Sequence, residues 1–381
     1  MKKLFPLLFG LALLSKTTAF GAVLIFWDTN GTTPGAGGAT PTGTWGVDAY
    51  WNEDATGGGA VNGGPHAWGN GDFAVFAAGN DATGAYTVHV SGIIDVADIH
   101  VDLGQVTFDP APVIGGSLKL GSLLSVGTKD ANAVARYNVP ITDSSNVIRY
   151  KRGTVIFGAI NTFTGPLTIQ GGVIQCAVAN TLSAANPLVL ANNDTLRQDF
   201  SVDWQYTPAV FNSGGLNQQL GTLTLAGADA TVVRALSLGG GAGTLSFADS
   251  SAVDWTGYTL TIQDYALGSS KVRFGTTSAG LTPTQLSQIQ FEGFKNLPGV
   301  INASGYVTPN LPKITAITHT SGAVQLNWTA VNGRAYRVWS QDALNPLVWN
   351  NLGDVTATGD TASFTDTTPS STARFYKLEV L

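Results

Sequence analysis

Apolar and polar residues alternate with a period of two along most of this chain, which predicts strands rather than helices. The alternation is regular from Ala85 onward, where Tyr86, Val88 and Val90 would share one face of a strand. Two further runs continue the pattern on either side of a predicted turn: Ile94 and Val96, then Ile99, Val101 and Leu103. Turn residues separate the runs at uneven intervals. The pattern favours an all-β fold with a right-handed parallel β-helix, or solenoid, and it leaves an antiparallel sandwich open.

Residues 151–190 carry the densest version of this pattern, because strands and turn residues fall inside one repeat-sized unit. The alternating strand positions are Thr154, Ile156, Leu167, Ile169, Val173 and Gln175. The corner positions, where the chain winds back on itself, are Asn161, Gly165, Gly171 and Gly172. Such a unit is typical of one coil of a solenoid. It predicts a scaffold rather than a catalyst.

The same unit resembles the autotransporter-associated β-strand repeat of secreted bacterial proteins. The matching pieces are Gly153-Thr154-Val155, Asn161-Thr162-Phe163-Thr164-Gly165 and Thr168-Ile169-Gln170-Gly171-Gly172-Val173. The segments WDTNG, DSSAVDWTGYTLTI and GLTPTQLSQIQFEGF carry a looser likeness. The resemblance implies a solenoid architecture and an extracellular or cell-surface location, and it says little about activity.

The first 22 residues are typical of a secretory signal peptide. Lys2 and Lys3 form the charged region, Leu4 to Leu14 the apolar region, and small residues up to Ala22 the cleavage site. The apolar run is shorter than the ~20 residues that a membrane-spanning helix needs. We therefore expect export, with no transmembrane anchor in the mature chain.

Composition narrows the classes of partner. Acidic residues outnumber basic ones by 25 to 19, which argues against nucleic acid as a ligand. Charged residues make up only 12% of the chain, and neutral Thr, Ser and Asn avoid like-charge repulsion between stacked strands. The single cysteine, Cys176, cannot close an internal disulfide, and we expect it to be a small apolar residue inside a coil.

The composition also divides the chain into segments. After the signal peptide we expect a Trp- and Gly-rich N-terminal cap at 23–85, the solenoid at 86–296 and a linker at 297–312. One helix is predicted from Thr282 to Ile289, at the C-terminal end of the solenoid.

Residues 313–381 form a second unit of about seven short strands. They resemble a fibronectin type III-like β-sandwich, in which Trp328 would be the core tryptophan and Phe375-Tyr376 would lie on a late strand. Two of the predicted strands, Val348–Leu352 and Val355–Ala357, follow each other closely.

The chain contains no nucleophile elbow, no HExxH motif and no P-loop, so no catalytic residue and no cofactor are assigned. The pattern closest to chemistry is Asp98, His100 and Asp102, which would point to the same side of a strand. That row could hold Ca²⁺ through carboxylate oxygens or act as acid and base. The alternative is an ordinary solvated strand face opposite Ile99 and Val101.

A second acidic set consists of Asp249, Asp254 and Asp264, with Lys271 and Arg273 close behind. Carboxylates near one sheet serve polysaccharide-cleaving enzymes, but carboxylates at strand ends also form turns.

Two tryptophans of the C-terminal unit are candidate ligand-binding residues. Alternation places Trp339 on the face opposite Tyr336 and Val338, and Trp349 follows on the next strand. Exposed indoles stack against sugar rings, although edge protection or packing against the solenoid would also explain them.

The sequence predicts a secreted, noncatalytic solenoid that acts in adhesion or in an extracellular matrix. One alternative is a carbohydrate-binding or carbohydrate-active protein of the polysaccharide lyase or glycosidase kind. Another is a structural surface-layer subunit. The expected partners are extracellular polysaccharide or other cell-surface proteins.

Overall fold

The computed structural model describes residues 22–59, 64–192, 207–227, 229–269, 271–320, 322–343, 348–369 and 373–381. Apart from Ala22, the predicted signal peptide lies outside these ranges, as does a strand expected at Ser201–Trp204. The described residues are almost entirely strand and turn, which confirms the predicted all-β class.

The elements before residue 312 are, in chain order, β1 (Leu24–Trp27), β2 (Gly43–Trp45), β3 (Trp51–Asn52), β4 (Phe73–Phe76), β5 (Ala85–Val90), β6 (Gly92–Val101), β7 (Gln105–Pro110), β8 (Gly116–Val126), β9 (Val134–Tyr137), β10 (Ile141–Thr142), β11 (Val147–Tyr150), β12 (Thr154–Phe157), β13 (Leu167–Ile169), β14 (Gly172–Cys176), β15 (Leu188–Asn192), β16 (Ala209–Asn212), β17 (Gln218–Leu220), β18 (Leu223–Gly227), β19 (Arg234–Ser237), β20 (Thr244–Phe247), β21 (Leu260–Gln263), β22 (Lys271–Phe274), α1 (Pro283–Ser287), β23 (Ile289–Phe291), β24 (Gly299–Ile301) and β25 (Tyr306–Pro309). The later strands are β26 (Ile314–Thr320), β27 (Ala323–Thr329), β28 (Ala335–Gln341), β29 (Asn350–Thr356), β30 (Thr361–Asp366) and β31 (Phe375–Val380).

Two long sheets, formed mainly by parallel strands, dominate the first 291 residues. Sheet A follows the order β18-β15-β13-β11-β8-β6-β4-β1-β3, with β10 beside β8, and sheet B follows β2-β5-β7-β9-β12-β14-β16-β19-β21-β23. A third sheet, C, has the order β17-β20-β22-β25-β24. All pairs in sheets A and B except β1–β3 are parallel, as are β17–β20 and β20–β22 in sheet C, and these parallel sheets are consistent with a β-helix.

The core is built from rows of stacked side chains. In parallel pairing, residues in register lie directly above one another, about 4.8 Å apart. One such row in sheet B is buried over its full length: Tyr86, Val106, Ala135, Val155, Ile174, Phe211, Leu236, Ile262 and Phe291. The two-residue alternation selects the inward-facing residues in β5 and β13. In β12 and β14 the alternating positions named from the sequence, Thr154, Ile156, Val173 and Gln175, point outward, and their neighbours Val155 and Ile174 face the core.

One predicted turn is a bulge instead. Val96 and Ile99 are both buried although they are three residues apart, and β6 runs through both without interruption. The register of β6 against β8 shifts between Val96 and Asp98, because β8 carries one extra residue there. Such a bulge reverses the phase of the alternation within a single strand, which in sequence looks like a turn.

The corners behave as their residue types predict. The side chain of Asn161 is buried, accepts a hydrogen bond from the backbone N–H of Ile141 at 2.9 Å and donates to the carbonyl oxygen of Thr181 at 3.2 Å. It thus links two segments, one 20 residues before it and one 20 residues after it. Gly172 has a φ of +71°, a backbone conformation that favours glycine.

The residues predicted as an N-terminal cap contribute strands to sheets A and B. β1 and β4 continue sheet A in parallel, and β3 closes that sheet by pairing antiparallel with β1. The rings of Trp27 and Trp45 are fully buried, each with its centroid within 5.3 Å of the Trp51 ring centroid. This aromatic cluster fills the core at the N-terminal end of sheets A and B.

The C-terminal end of the sheets is closed by the predicted helix and by antiparallel strands. Thr282 caps α1 and shares a reciprocal capping box with Gln285, whose amide also donates to the carbonyl oxygens of Ser250 and Val253. The predicted linker at 297–312 contains β24 and β25, which are part of sheet C. None of the helices in the described residues is long and apolar enough to cross a membrane.

Residues 314–380 form two three-stranded antiparallel sheets, D (β26-β27-β30) and E (β29-β28-β31). Together they enclose a small core that includes Leu326, Trp328 and Tyr336. The two strands predicted at 348–352 and 355–357 are a single strand, β29, with a bulge next to Gly353. Gly353 interrupts the apolar pattern and splits one strand into two when only the sequence is considered.

Candidate functional site

A groove of about 560 Å³ lies on the outer face of sheet A, near its N-terminal end. Its volume is within the range of ordinary ligand sites in proteins. The groove is lined by side chains from β1, β4, β6, β8 and β11, with Thr128 and Lys151 beside them. We call it the sheet A groove.

The lining follows from strand register. Alternate residues of β6 point inward and outward, and Asp98 and His100 point outward while Ile99 is fully buried. Two outward-facing rows cross the strands: Leu24, Phe73, Asp98, Leu123 and Ile148 in one, and Phe26, Val75, His100 and Ser125 in the other. Apolar side chains therefore flank Asp98 on both sides, Phe73 on one and Leu123 on the other.

Asp98 is held in place by the bulge. One of its carboxylate oxygens accepts hydrogen bonds from the backbone N–H of Leu123 at 2.9 Å and from the hydroxyl of Ser122 at 3.2 Å. Both donors belong to the part of β8 where the extra residue breaks the ladder. Asp98 satisfies a backbone donor that the regular pairing would otherwise have satisfied.

Asp102 lies at the other end of the row. Its carboxylate is 3.9 Å from the ammonium of Lys129, which donates to the carbonyl oxygen of Gly79 at 2.8 Å. The structure thus places all three predicted residues, Asp98, His100 and Asp102, along one groove. Among the residues in the described ranges, no three side chains of His, Cys, Asp or Glu converge closely enough to hold a metal ion.

The sequence did not point to Phe26 and Phe73 as lining residues of this groove. They belong to segments far apart from β6 in the chain, and they reach the same face only because β1, β4 and β6 pair in parallel. A single outward-facing apolar residue cannot be recognised in the sequence as part of a site. Only the pairing of the strands shows that several such residues lie side by side.

In the second acidic set, Asp249 and Asp254 are local turn formers. Asp249 accepts hydrogen bonds from the N–H and hydroxyl of Ser251, and these bonds hold the pKa of Asp249 below its ordinary value. Asp254 does the same with Thr256, again with a lowered pKa. Asp264 accepts from the hydroxyl of Ser237 at 2.5 Å. Each of the three carboxylates thus accepts hydrogen bonds from a different residue.

The predicted tryptophans of the C-terminal unit do come together, on the outer face of sheet E. The ammonium of Lys377 lies 4.5 Å from the ring centroid of Trp349 and 5.3 Å from that of Trp339. The indole N–H of Trp339 donates to the carboxylate of Glu379 at 2.9 Å. We call Trp339, Trp349 and Lys377 the indole cluster; it is a cation-π arrangement on an accessible surface.

One curated protein similar to this chain is the adhesin BmaC autotransporter of Brucella suis biovar 1, which is 32% identical over 148 residues. The aligned region makes up 38% of this chain and 4% of that protein, so the chain spans a small part of the relative's length. No family model matches the chain, and no solved structure matches it. The similarity supports an autotransporter-like relationship for this part of the chain.

Proposed function

We propose that the chain is an exported, cell-surface adhesion protein that binds extracellular polysaccharide without cleaving it. In this proposal residues 23–311 are a right-handed β-helix that acts as a rod, and residues 313–381 are a fibronectin type III-like β-sandwich attached to it. The relative is named as an adhesin, which supports the adhesive role. The observation that carries the proposal is the sheet A groove, which combines apolar walls with fixed carboxylates.

The groove suits a sugar chain for chemical reasons. A pyranose ring has apolar faces, which pack against Phe26 and Phe73, and hydroxyl groups, which hydrogen-bond to carboxylate and imidazole groups. Asp98 and Asp102 place two carboxylates in the groove, and Lys129 beside Asp102 and Lys151 in the lining balance their charge. We therefore propose a neutral polysaccharide, since the groove offers no excess of positive charge to attract a polyanionic one.

Glycan-array screening of the purified mature chain, followed by calorimetry on the best neutral glycan, tests this proposal. Phe73→Ala removes a wall of the groove and is expected to weaken binding about tenfold or more, as loss of a stacked ring commonly does. Ile160→Ala, an exposed apolar residue that does not line the groove, serves as the matched control and should bind normally. Absence of glycan binding, or equal binding by both variants, would refute it.

The indole cluster is a second candidate for the polysaccharide contact. Its ring faces are covered by the exposed side chain of Lys377, so a sugar reaches Trp339 and Trp349 by displacing a flexible group. If this surface binds, Trp349→Ala abolishes binding, Lys377→Ala tightens it, and Phe73→Ala leaves it unchanged. The two candidates thus give opposite results with the same three variants.

A further inference from the structure

β31 is an edge strand with an unpaired side. It pairs with β28 on one side, and within the ranges that the structure describes no strand pairs with the other. The N–H of Leu381 donates to the carbonyl oxygen of Ala335 at 3.0 Å, and this bond sets the phase of the ladder. Because antiparallel hydrogen bonding alternates along a strand, the backbone groups of Tyr376, Leu378 and Val380 face the free edge.

The sequence of β31, Phe-Tyr-Lys-Leu-Glu-Val, is complementary to itself when reversed. In an antiparallel pair centred on Leu378, that residue lies opposite Leu378 of a second copy, and Tyr376 lies opposite Val380. These are the positions whose backbone groups face the edge, so they form the hydrogen-bonded pairs. Lys377 then lies opposite Glu379 in a non-hydrogen-bonded pair, where side chains of two strands approach most closely.

Charge complementarity explains why this edge can pair. A lysine on an exposed edge strand ordinarily discourages pairing, because it is brought against an apolar or like-charged neighbour. In the self-paired register, each Lys377 meets a Glu379 of the other copy, and each Glu379 meets a Lys377. Tyr376, Leu378 and Val380, which pack against the core on the inner face, continue an apolar surface across the contact.

The inner surface next to this edge is also uncovered. Ile317 of β26 is in register with Leu326, which is fully buried, so both side chains are on the core side of sheet D. Ile317 is nevertheless 49% exposed. β29 contacts β30 at one side of the two sheets, which places β26 and β31 together at the opposite, open side. A strand added to β31 would extend sheet E over Ile317.

We propose that two copies of this chain associate through antiparallel pairing of β31 with β31, centred on Leu378, to form a symmetric dimer. The contact joins sheet E of one copy to sheet E of the other and places their indole clusters on one continuous face. A strand contact of this kind is isologous, and it closes at two copies instead of growing into a filament. The proposal does not depend on whether either surface binds polysaccharide.

Sedimentation of the full mature chain over a range of concentrations tests the dimer, and charge reversal tests its register. Lys377→Glu sets Glu against Glu, and Glu379→Lys sets Lys against Lys, so each single variant should raise the dimer dissociation constant about tenfold. The double variant, Lys377→Glu with Glu379→Lys, restores opposite charges and should restore the dimer. An equimolar mixture of the two single variants should form a mixed dimer, because every pair is again complementary.

Circular dichroism of each variant checks that the fold is retained, since all the changed side chains are exposed. Amide hydrogen exchange provides an independent measurement: the N–H groups of Tyr376, Leu378 and Val380 should exchange quickly in dilute samples and slowly in concentrated ones. A chain that stays monomeric at every concentration overturns the proposal. A dimer whose dissociation constant is unchanged by the charge reversals also overturns it. So does slow exchange of these amides in the monomer, which would mean that another segment pairs with this edge.

Discussion

The carboxylate of Asp98 accepts a hydrogen bond from the backbone N–H of Leu123 at 2.9 Å, across the bulge between β6 and β8. A residue that the sequence marks as a candidate for chemistry thus has a structural task as well. It stabilises the irregularity that shapes the floor of the sheet A groove.

Replacing Asp98 measures how much its carboxylate stabilises the bulge. Asp98→Ala leaves the N–H of Leu123 without its partner in a partly buried position, and we expect it to lower the free energy of unfolding by about 1–2 kcal/mol. Asp98→Asn keeps an acceptor oxygen and should cost less than half of that. Urea unfolding followed by circular dichroism measures both. If the alanine variant is as stable as the parent, the carboxylate does not support the bulge.

Substitutions at Gly172 test the backbone geometry of the corner between β13 and β14. A Cβ added there would lie 2.6 Å from the backbone carbonyl oxygens of Gly153 and Lys151, in a backbone conformation with φ at +71°. Gly240 has nearly the same φ, +68°, but open space around it. Gly240→Ala should therefore cost about 1 kcal/mol from backbone strain alone, whereas Gly172→Ala adds a clash worth about 1–3 kcal/mol more. Equal losses in chemical unfolding would contradict this account.

Two buried arginines should respond oppositely to replacement by leucine. Arg149 lies in the inward row of sheet A with its Nε and one terminal nitrogen unpaired, while its other terminal nitrogen donates to the carbonyl oxygens of Val126 and Gly153. Burial lowers the pKa of Arg149 to about 9. Arg234 instead donates to the carbonyl oxygens of Ala226, Val232 and Asp229.

The expected outcome follows from what each replacement leaves behind. Arg149→Leu removes a poorly satisfied charge from an apolar row and should stabilise the chain by about 1 kcal/mol. Arg234→Leu removes the side-chain donor of three carbonyl oxygens and should destabilise it by about 2–3 kcal/mol. Thermal melting of the two variants and of the parent measures both effects. A large loss of stability in Arg149→Leu would show that the hydrogen bonds of Arg149 stabilise the fold by more than the burial of its charge costs.

Cys176 is expected to be chemically silent in the folded chain. It is buried, and burial raises the pKa of its thiol to about 12. Thiol reagents at pH 8 should label it only after unfolding, whereas a cysteine introduced at exposed Ala184 in a Cys176→Ala background should react at once. Because the folded pKa is the higher one, this thiol adds no pH dependence below pH 9 and lowers stability as the pH rises from 9 towards 12. Rapid labelling of the native chain would show that the coil opens there.

Much of the fold could be predicted because strands with one buried face follow a local rule. A strand with one buried face needs apolar residues at every second position, so Tyr86, Val88 and Val90 reveal their orientation without any partner. The prediction failed where one residue shifts the phase. The bulge after Val96 was taken for a turn, and Gly353 made one strand look like two, because alternation alone cannot distinguish a break in a strand from a break in its register.

The alternation along the chain determined by itself that this protein is built of strands, and in strands such as β5 it determined which side chains face the core. Only the tertiary structure decided which of the outward-facing residues become neighbours. Phe26, Phe73 and Asp98 share a groove because each parallel pairing fixes a register between segments that are 20 or more residues apart in the chain. That register depends on the lengths and conformations of the intervening corners, and no residue of a single strand encodes it.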